Sequence, residues 1–378
     1  LSETHNMEEM LSKLRNYLIM DLQEAYEKIR FREKTSLVQT MKDVFAYTGC
    51  PFIILIDEWD CLFREYQKDK EAQKKYLDFL RAWLKDQDYV GLAYMTGILP
   101  IKKYGSHSAL NMFIEYSMTD PGDVAQYFGF TEEEVASLCE KYKMDGEEVK
   151  CWYDGYSFDK VPAVYSPRSV VSCMRFGKIG NYWNQTETYE ALKVYIQMNM
   201  DGLKDSVVEM LAGGSVRINT GTFSNDMTTF ATKDDVLTLL VHLGYLTYDS
   251  LKEEVSIPNK EVSKEYVNAI STMDWKEVIT SVEASRKLLN SLWDMDEETV
   301  AEGIDKAHRE ISILQYNDEN SLSCTINLAF YFAREYYTIV RELPTGKGFA
   351  DICFIPRKIH ADKPAVFLSR RPSGLRKT

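Results

Sequence analysis

The sequence lacks several features that would place it quickly in a class of protein. None of its seven cysteines forms a CxxC pair, so the sequence indicates neither a zinc ribbon nor a disulfide framework. No apolar run reaches the ~20 residues that cross a bilayer, and no amino-terminal segment has the pattern of a secretory signal. We therefore expect reduced core thiols and a cytoplasmic protein without membrane contact.

Positive charge is scarce in relation to negative charge. The 378 residues carry 45 Lys and Arg against 58 Asp and Glu, a formal net charge of -13 at pH 7. Such a chain is not drawn as a whole to nucleic acid or to an anionic membrane. The last stretch, Thr345–Thr378, departs from this pattern with eight basic and two acidic residues. Any contact with DNA would therefore be local.

Length and apolar content predict a multidomain globular protein of the α/β class. The 378 residues exceed one ordinary domain of ~100 to 200 residues, and 45% hydrophobic residues can fill packed cores. We expect three parts. Residues 1–120 alternate helices and strands, residues 121–262 are helical with a hairpin, and residues 263–378 are a helical linker followed by a small α/β module.

A continuous apolar run, Phe52–Ile56, is followed at once by Asp57 and Glu58. Being apolar on both faces, this run predicts a buried central strand of a parallel sheet. Since α/β sheets bind ligands at the carboxyl ends of their strands, the position of the two carboxylates is typical of a Walker B strand. Asp57 would then hold Mg²⁺, and Glu58 would polarise the attacking water. The alternative is that polar residues simply end a strand.

The next apolar run, Tyr89–Met95, ends at Thr96, where a polar sensor of the γ-phosphate would lie. The phosphate cradle is missing, because the motif G-x-x-x-x-G-K-[ST] occurs nowhere in the sequence. Without the backbone N–H groups and the Lys of that motif, the acidic pair has little to hold the β- and γ-phosphates. We therefore expect this chain, taken alone, to bind ATP poorly.

The carboxyl-terminal part contains a second acidic pattern. A helix preceded by Glu319 is followed by a strand that bears Asp351, and a metal-dependent nuclease needs carboxylates that converge on Mg²⁺. The usual next strand would carry Glu-x-Lys, but Ala365–Leu368 leads into Ser369, Arg370 and Arg371 instead. Arg371 stays protonated and cannot replace a carboxylate ligand. The alternative is a strand-edge Asp in a small α/β module.

The middle of the chain offers features with open interpretations. The aromatic segment Trp152–Phe158 could stack on bases, although such rings more often pack in a core. Asp234–Leu243 predicts a helix, and the two short apolar stretches after it predict a hairpin, an outline that resembles a winged-helix unit. His242 lies on this apolar helix, and this position favours a core histidine over a metal ligand.

Six ordered motifs together resemble the bacterial AAA-ATPase-like proteins that carry a carboxyl-terminal PD-(D/E)XK nuclease-like domain. The motifs are Phe52–Asp60, Thr96–Tyr104, Trp152–Phe158, Lys233–Tyr248, Ile257–Glu261 and Leu343–Ile352. The resemblance implies a partial P-loop NTPase sheet, a helical lid with a winged-helix-like region, and a truncated nuclease-like module. It implies ATP and Mg²⁺ as ligands of the complete protein, with Glu319 and Asp351 as remnants of a metal site.

Two departures from that family shape the functional expectation. The P-loop segment of the family would precede Leu1, and a basic tail replaces Glu-x-Lys, which suggests a fragment with a frameshifted or truncated end. We expect ATP-dependent processing or surveillance of DNA by the complete protein, and negligible ATPase and nuclease activity in this chain. The alternative is a non-catalytic module that binds DNA or a partner protein through the winged-helix-like region and the basic tail.

Overall fold

The computed structural model describes residues 7–65, 69–98, 100, 103–104, 107–108, 110–183, 189–198, 200–224, 229–271, 273, 275–310, 319–344 and 349–368. Within these ranges the protein has a mixed α/β structure whose sheets contain two or three strands each. The chain forms two compact units, the first from Leu1–Gly122 with Asn219–Leu243 and the second from Asp123–Ile218 with Gly244–Thr378. The mixed α/β class is confirmed, whereas the P-loop and nuclease-like folds and the three-part division stay predictions.

Helices account for most of the regular structure. In chain order they are α1 (Met7–Ala25), α2 (Leu37–Thr48), α3 (Cys61–Glu65), α4 (Lys70–Leu84), α5 (Glu132–Tyr142), α6 (Gly146–Tyr153), α7 (Pro167–Phe176), α8 (Tyr189–Ile196), α9 (Leu203–Leu211), α10 (Lys233–His242), α11 (Lys260–Ser271), α12 (Lys276–Trp293), α13 (Glu297–Glu310) and α14 (Glu319–Ala329). Among the described helices, none combines the length and apolar character that a bilayer crossing needs.

The strands are short and lie in five small sheets. They are β1 (Phe52–Ile56), β2 (Val90–Met95), β3 (Lys103–Tyr104), β4 (His107–Ser108), β5 (Phe130–Thr131), β6 (Tyr156–Phe158), β7 (Val161–Tyr165), β8 (Val216–Arg217), β9 (Thr247–Asp249), β10 (Glu254–Ser256), β11 (Tyr337–Pro344), β12 (Phe349–Pro356) and β13 (Val366–Leu368). The sheet orders are β1-β2, β3-β4, β5-β7-β6, β8-β10-β9 and β11-β12-β13.

In the first unit, helices α1, α2 and α4 contact one another, and α2 leads directly into β1. Ser36 begins α2, because its side chain accepts a hydrogen bond from the Gln39 backbone N–H. Gly49 ends the helix with a φ of 66°, a left-handed conformation that glycine adopts without a steric penalty. Local sequence signals therefore fix where β1 starts, as the sequence predicts.

The parallel pair β1–β2 is buried on one face only. The sequence predicts burial on both faces of β1, and this prediction is wrong for the described structure. Ile53 and Leu55 are 69% and 72% exposed, whereas Ile54, between them, is 7% exposed. Leu92 and Tyr94 of β2 are also exposed. Parallel sheets normally have both faces covered, so this apolar face lacks its usual cover among the described residues.

In the second unit, the aromatic segment predicted between Trp152 and Phe158 packs in a core. Tyr153 is fully buried, Tyr156 is 5% exposed, and the Tyr156 hydroxyl donates a hydrogen bond to the Gly244 carbonyl at 2.6 Å. Gly155 has a φ of 121°, and a Cβ added there would lie 1.8 Å from the Pro258 carbonyl oxygen, so only glycine fits. The core interpretation is confirmed.

The carboxyl-terminal elements differ from the predicted ones. The sequence predicts one helix from Ser321 to about Tyr337, but α14 ends at Ala329, and a 3₁₀ helix, Tyr331–Glu335, leads into β11. Strand β11 was not predicted, although the consecutive residues Thr338, Ile339 and Val340 are β-branched and favour a strand. β11 pairs with β12 in antiparallel register, and β13 adds the third strand.

The helix and hairpin of the resembled winged-helix outline both occur. α10 lies where it was predicted, and β9 and β10 pair in antiparallel fashion with Val255 opposite Tyr248. Strand β8 joins the other edge of β10. Because α10 belongs to the first unit and the hairpin to the second, their arrangement as a winged helix stays a prediction.

Neighbouring residues of β1 give a matched test of the one-sided burial. Ile54→Ala removes a core side chain and should lower the free energy of unfolding by about 2–5 kcal/mol. Leu55→Ala removes a side chain of the exposed face and should change that free energy by less than about 0.5 kcal/mol. Urea denaturation of both variants measures the difference, and equal losses would contradict the exposed face.

Candidate functional site

The carboxyl ends of β1 and β2 bring Asp57 and Thr96 together. Thr96 N donates to Ile56 O at 2.9 Å, and Trp59 N donates to Thr96 O at 2.8 Å, so the two segments stay paired beyond the strands. The Thr96 hydroxyl donates a hydrogen bond to Asp57 Oδ1 and accepts one from the Glu58 backbone N–H at 3.3 Å. Two of the three residues predicted at this edge are therefore joined by a direct hydrogen bond.

Glu58 occupies a strained position in the turn that follows β1. Its φ of 50° lies in the left-handed region, which costs a residue with a side chain about 1–3 kcal/mol and is concentrated at functional sites. The Glu58 carboxylate accepts a hydrogen bond from Arg64 Nη2 at 3.0 Å, and the Glu58 side chain is 66% exposed. An exposed ion pair contributes about 0–1 kcal/mol, so Glu58 can leave Arg64 at little cost.

Two residues for which the sequence predicts no role, Trp59 and Asp60, hold this turn. Asp60 is fully buried, and its Oδ2 accepts a hydrogen bond from Ile98 N at 3.1 Å and lies 3.7 Å from Arg64 Nε. The Trp59 ring packs against Gly97, where an added Cβ would approach the ring at 2.6 Å. The sequence does contain a signal for this contact. The large residue Trp59 directly follows Asp57 and Glu58, and the small residue Gly97 directly follows Thr96.

The side chains at this edge fit a magnesium ion held jointly with other ligands. Mg²⁺ is usually bound through one or two carboxylates, with water and substrate phosphates completing its shell, and Asp57 and Glu58 can supply such carboxylates. In the described ranges, no group of three or more His, Cys, Asp or Glu residues could hold a metal ion by itself. The sequence contains no Walker A cradle. The residues present therefore fit Mg²⁺. They do not include the Walker A motif that usually binds the nucleotide phosphates.

The carboxyl-terminal acidic pattern is located only by its backbone. Glu319 is the first residue of α14, and Asp351 lies within β12. The side chains of both residues lie outside the part of the chain that the structure describes, as does the whole of Arg371. Convergence of these two carboxylates on a metal therefore stays a prediction.

His242, at the end of α10, has the environment of a core histidine. Its ring stacks on Phe223, with ring centroids 5.7 Å apart and an interplanar angle of 27°. Burial lowers the pKa of His242 to about 4, because the charged imidazolium loses its hydration there. The ring is therefore neutral at physiological pH and contributes to packing.

Comparison with known proteins identifies the class of the amino-terminal segment. Residues 1–106 match the family model described as a predicted AAA-ATPase, and this segment contains Asp57, Glu58 and Thr96. No curated protein and no solved structure matches the chain. The amino-terminal segment is therefore similar to an AAA-ATPase-like family, a similarity that suggests nucleotide binding, whereas the nuclease-like part stays a prediction.

The packing of the turn predicts a strong effect of Gly97→Ala. The added Cβ would lie 2.6 Å from Trp59 Cδ1 and 2.8 Å from Asp60 Oδ1, so these groups must move apart. We expect a loss of about 1–3 kcal/mol in the free energy of unfolding. Gly146→Ala is the control, because a Cβ there would meet no atom within 4 Å. Urea denaturation compares them, and a Gly97→Ala variant as stable as the parent would refute the packing.

The lowered pKa of His242 predicts an acid-dependent loss of stability. Below about pH 6.5 the unfolded chain binds a proton that the folded chain does not bind until about pH 4, so stability falls as the pH drops through this window. Within this window, His242 lowers the free energy of unfolding by about 1 kcal/mol for each unit by which the pH falls. His242→Asn should remove this effect. The difference between the stability–pH curves of the parent and the variant measures the effect, and parallel curves would contradict it.

Proposed function

We propose that the edge formed by Asp57, Glu58 and Thr96 is the metal-facing part of an ATP-hydrolysing site of the AAA class. The observation that carries this proposal is the hydrogen bond between the Thr96 hydroxyl and the Asp57 carboxylate, at the shared carboxyl edge of two parallel strands. The match of residues 1–106 to a predicted AAA-ATPase family supports the same chemistry.

Each of the three residues has a distinct role in the proposed site. A bound Mg²⁺ would neutralise charge on the nucleotide phosphates. Asp57 is the residue that would hold this metal, because its carboxylate is exposed at the strand end and Thr96 fixes its orientation. The Thr96 hydroxyl has one proton, so it would sense the γ-phosphate by turning from Asp57 and donating to a phosphate oxygen. Glu58, once released from Arg64, would polarise the attacking water.

The absence of a Walker A motif from the sequence determines the activity that we expect of this chain. Backbone N–H groups and a Lys hold the phosphates in P-loop sites, and the sequence has no G-x-x-x-x-G-K-[ST] to supply them. Asp57 and Glu58 carry negative charge and cannot replace that cradle. We accordingly propose weak ATP binding and negligible turnover by these residues alone.

Processing or surveillance of DNA is the proposed process, and it rests on the family resemblance. The alternative of DNA binding through the β9–β10 hairpin receives no support from its charge. Residues 249–254 contain three carboxylates and one ammonium group, and Glu253 already pairs with Arg217 at 2.6 Å. Phosphate contacts require basic side chains that displace counterions, so this hairpin is poorly suited to DNA. Binding to a partner protein stays a prediction.

A paramagnetic ion tests the metal site directly. Mn²⁺ takes the same oxygen ligands as Mg²⁺ and broadens NMR signals of nearby nuclei. We expect titration with Mn²⁺ to broaden the amide signals of Glu58 and Gly97 before others, and Asp57→Asn to abolish this selectivity. Asp78→Asn, which changes an exposed carboxylate of α4, is the matched control. If the amide signals of Glu58 and Gly97 still broaden first in Asp57→Asn, this result would contradict Asp57 as the metal ligand.

Turnover of ATP tests the second part of the proposal. The purified chain should release phosphate from Mg²⁺-ATP no faster than a sample of the Asp57→Asn variant. If the chain hydrolyses ATP at an ordinary rate and Asp57→Asn abolishes this activity, the expected inactivity is refuted. The proposed metal role of Asp57 would then still hold. Turnover unaffected by this substitution would place the activity elsewhere.

A further inference from the structure

The second unit contains a cavity that the proposed ATP-hydrolysing site does not use. Its volume is about 610 Å³, within the range of ~300–1,000 Å³ that small-molecule pockets take. Helix α11, the 3₁₀ helix Tyr331–Glu335 and strand β11 provide much of its lining. All its lining residues belong to the second unit.

The lining of this cavity is strongly cationic. One carboxylate, Glu335, is opposed by five basic side chains. The basic side chains are Lys260, Lys264, Arg334, Arg341 and Arg357. The chain as a whole has a net charge of -13, so this excess of positive charge is local. A concave surface lined by one sign of charge attracts ligands of the opposite sign.

Arg334 is the cation that most requires a counter-charge. Within the described ranges its side chain forms no salt bridge, and its close neighbour is the Tyr331 ring, whose centroid lies 5.6 Å from Arg334 Cζ. Burial lowers the pKa of Arg334, because the charged guanidinium loses hydration there. Arg334 is half-buried at the cavity, and a charge that has lost part of its hydration is normally paired, so this guanidinium points to an anionic ligand.

The backbone around Arg334 is built to admit its guanidinium. Gly213, which follows α9, has a φ of 83°, and an added Cβ would lie 2.6 Å from Arg334 Nη2. A side chain at this position would therefore push the guanidinium away. The close approach depends on glycine both for its conformation and for the space that it leaves.

The two lysines of α11 are held against the same aromatic ring. Lys260 Nζ and Lys264 Nζ lie 4.9 and 4.4 Å from the centroid of the Trp152 ring, a cation–π arrangement that cancels no charge. Glu335 neutralises Lys260 only in part, because their closest atoms are 3.9 Å apart and Arg286 shares the same carboxylate at 3.7 Å.

An amide adds a neutral hydrogen-bond donor to the lining. Asn259, which lines the cavity, accepts a hydrogen bond from Val262 N at 3.0 Å through Oδ1. Its Nδ2 is buried and has no hydrogen-bond partner in the described ranges. Buried polar groups normally find a partner, so a ligand oxygen that reached this amide would satisfy it.

We propose that this cavity binds a phosphate-bearing small molecule of nucleotide size. Arg334 would contact a phosphate group, and Lys260, Lys264 and Arg341 would neutralise the remaining phosphate charge. Several cations around one space of this volume suit a ligand with two or more phosphate groups. The proposal is independent of the site at Asp57.

Isothermal titration calorimetry with tripolyphosphate, ADP and adenosine at low salt tests the proposal. Tripolyphosphate and ADP should bind one per chain, and adenosine, which lacks phosphate, should not bind. Arg334→Gln should weaken the binding of tripolyphosphate by about tenfold or more, the loss expected for a charge-assisted hydrogen bond. Arg309→Gln changes an arginine of α13 that pairs with Asp305, and it should leave the affinity unchanged. Asp57→Asn should also leave it unchanged.

Further measurements keep the test decisive if Arg334→Gln folds poorly. Arg341 is exposed, so Arg341→Gln should fold normally by circular dichroism and still weaken tripolyphosphate binding several-fold. Absence of binding by both phosphate compounds at millimolar concentration would overturn the proposal. Unchanged affinity in both arginine variants would overturn it too. Tighter binding of a single-stranded oligonucleotide than of either phosphate compound would overturn it in favour of a nucleic-acid surface.

Discussion

The hydrogen bond between Thr96 and Asp57 is the interaction on which the functional account depends. It forms because β1 and β2 are parallel and, after a register shift between Phe52 and Ile53, stay in register up to the last pair, Ile56 opposite Met95. Side chains alternate between the faces of a strand, so a slip of one residue would move the Thr96 hydroxyl to the other face of the pair. The contacts of Trp59 with Gly97 hold the same register from beyond the strands.

Local patterns in the sequence were sufficient to predict this edge and its flanking elements. An apolar run between Pro51 and Asp57 predicts β1, and capping residues predict α2, because these signals act over a few residues. The exposure of Ile53 was not predictable, since the sequence shows that a strand is apolar but not what covers it. Strand β11 was missed because helical spacing of apolar residues continues past the true end of α14 at Ala329.

Such local sequence patterns could not predict the cationic cavity. Lys260 and Arg334 are separated by more than seventy positions in the sequence, and neither lies in a basic run. Their convergence depends on tertiary packing, which periodicity and motif spacing do not encode. The basic side chains that the sequence analysis emphasised lie in the tail from Thr345 onward. Of these, Arg357 lines the cavity, and Arg371 lies outside the described residues.

Anomalous diffraction from crystals of the protein soaked in Mn²⁺ would show whether Asp57 is a metal ligand. We expect a manganese peak about 2.1 Å from a carboxylate oxygen of Asp57, the distance that Mg²⁺ takes from its oxygen ligands. The Thr96 hydroxyl should remain within hydrogen-bond distance of the same carboxylate. Manganese peaks at other carboxylates, with none beside Asp57 at a concentration that fills those sites, would contradict the claim.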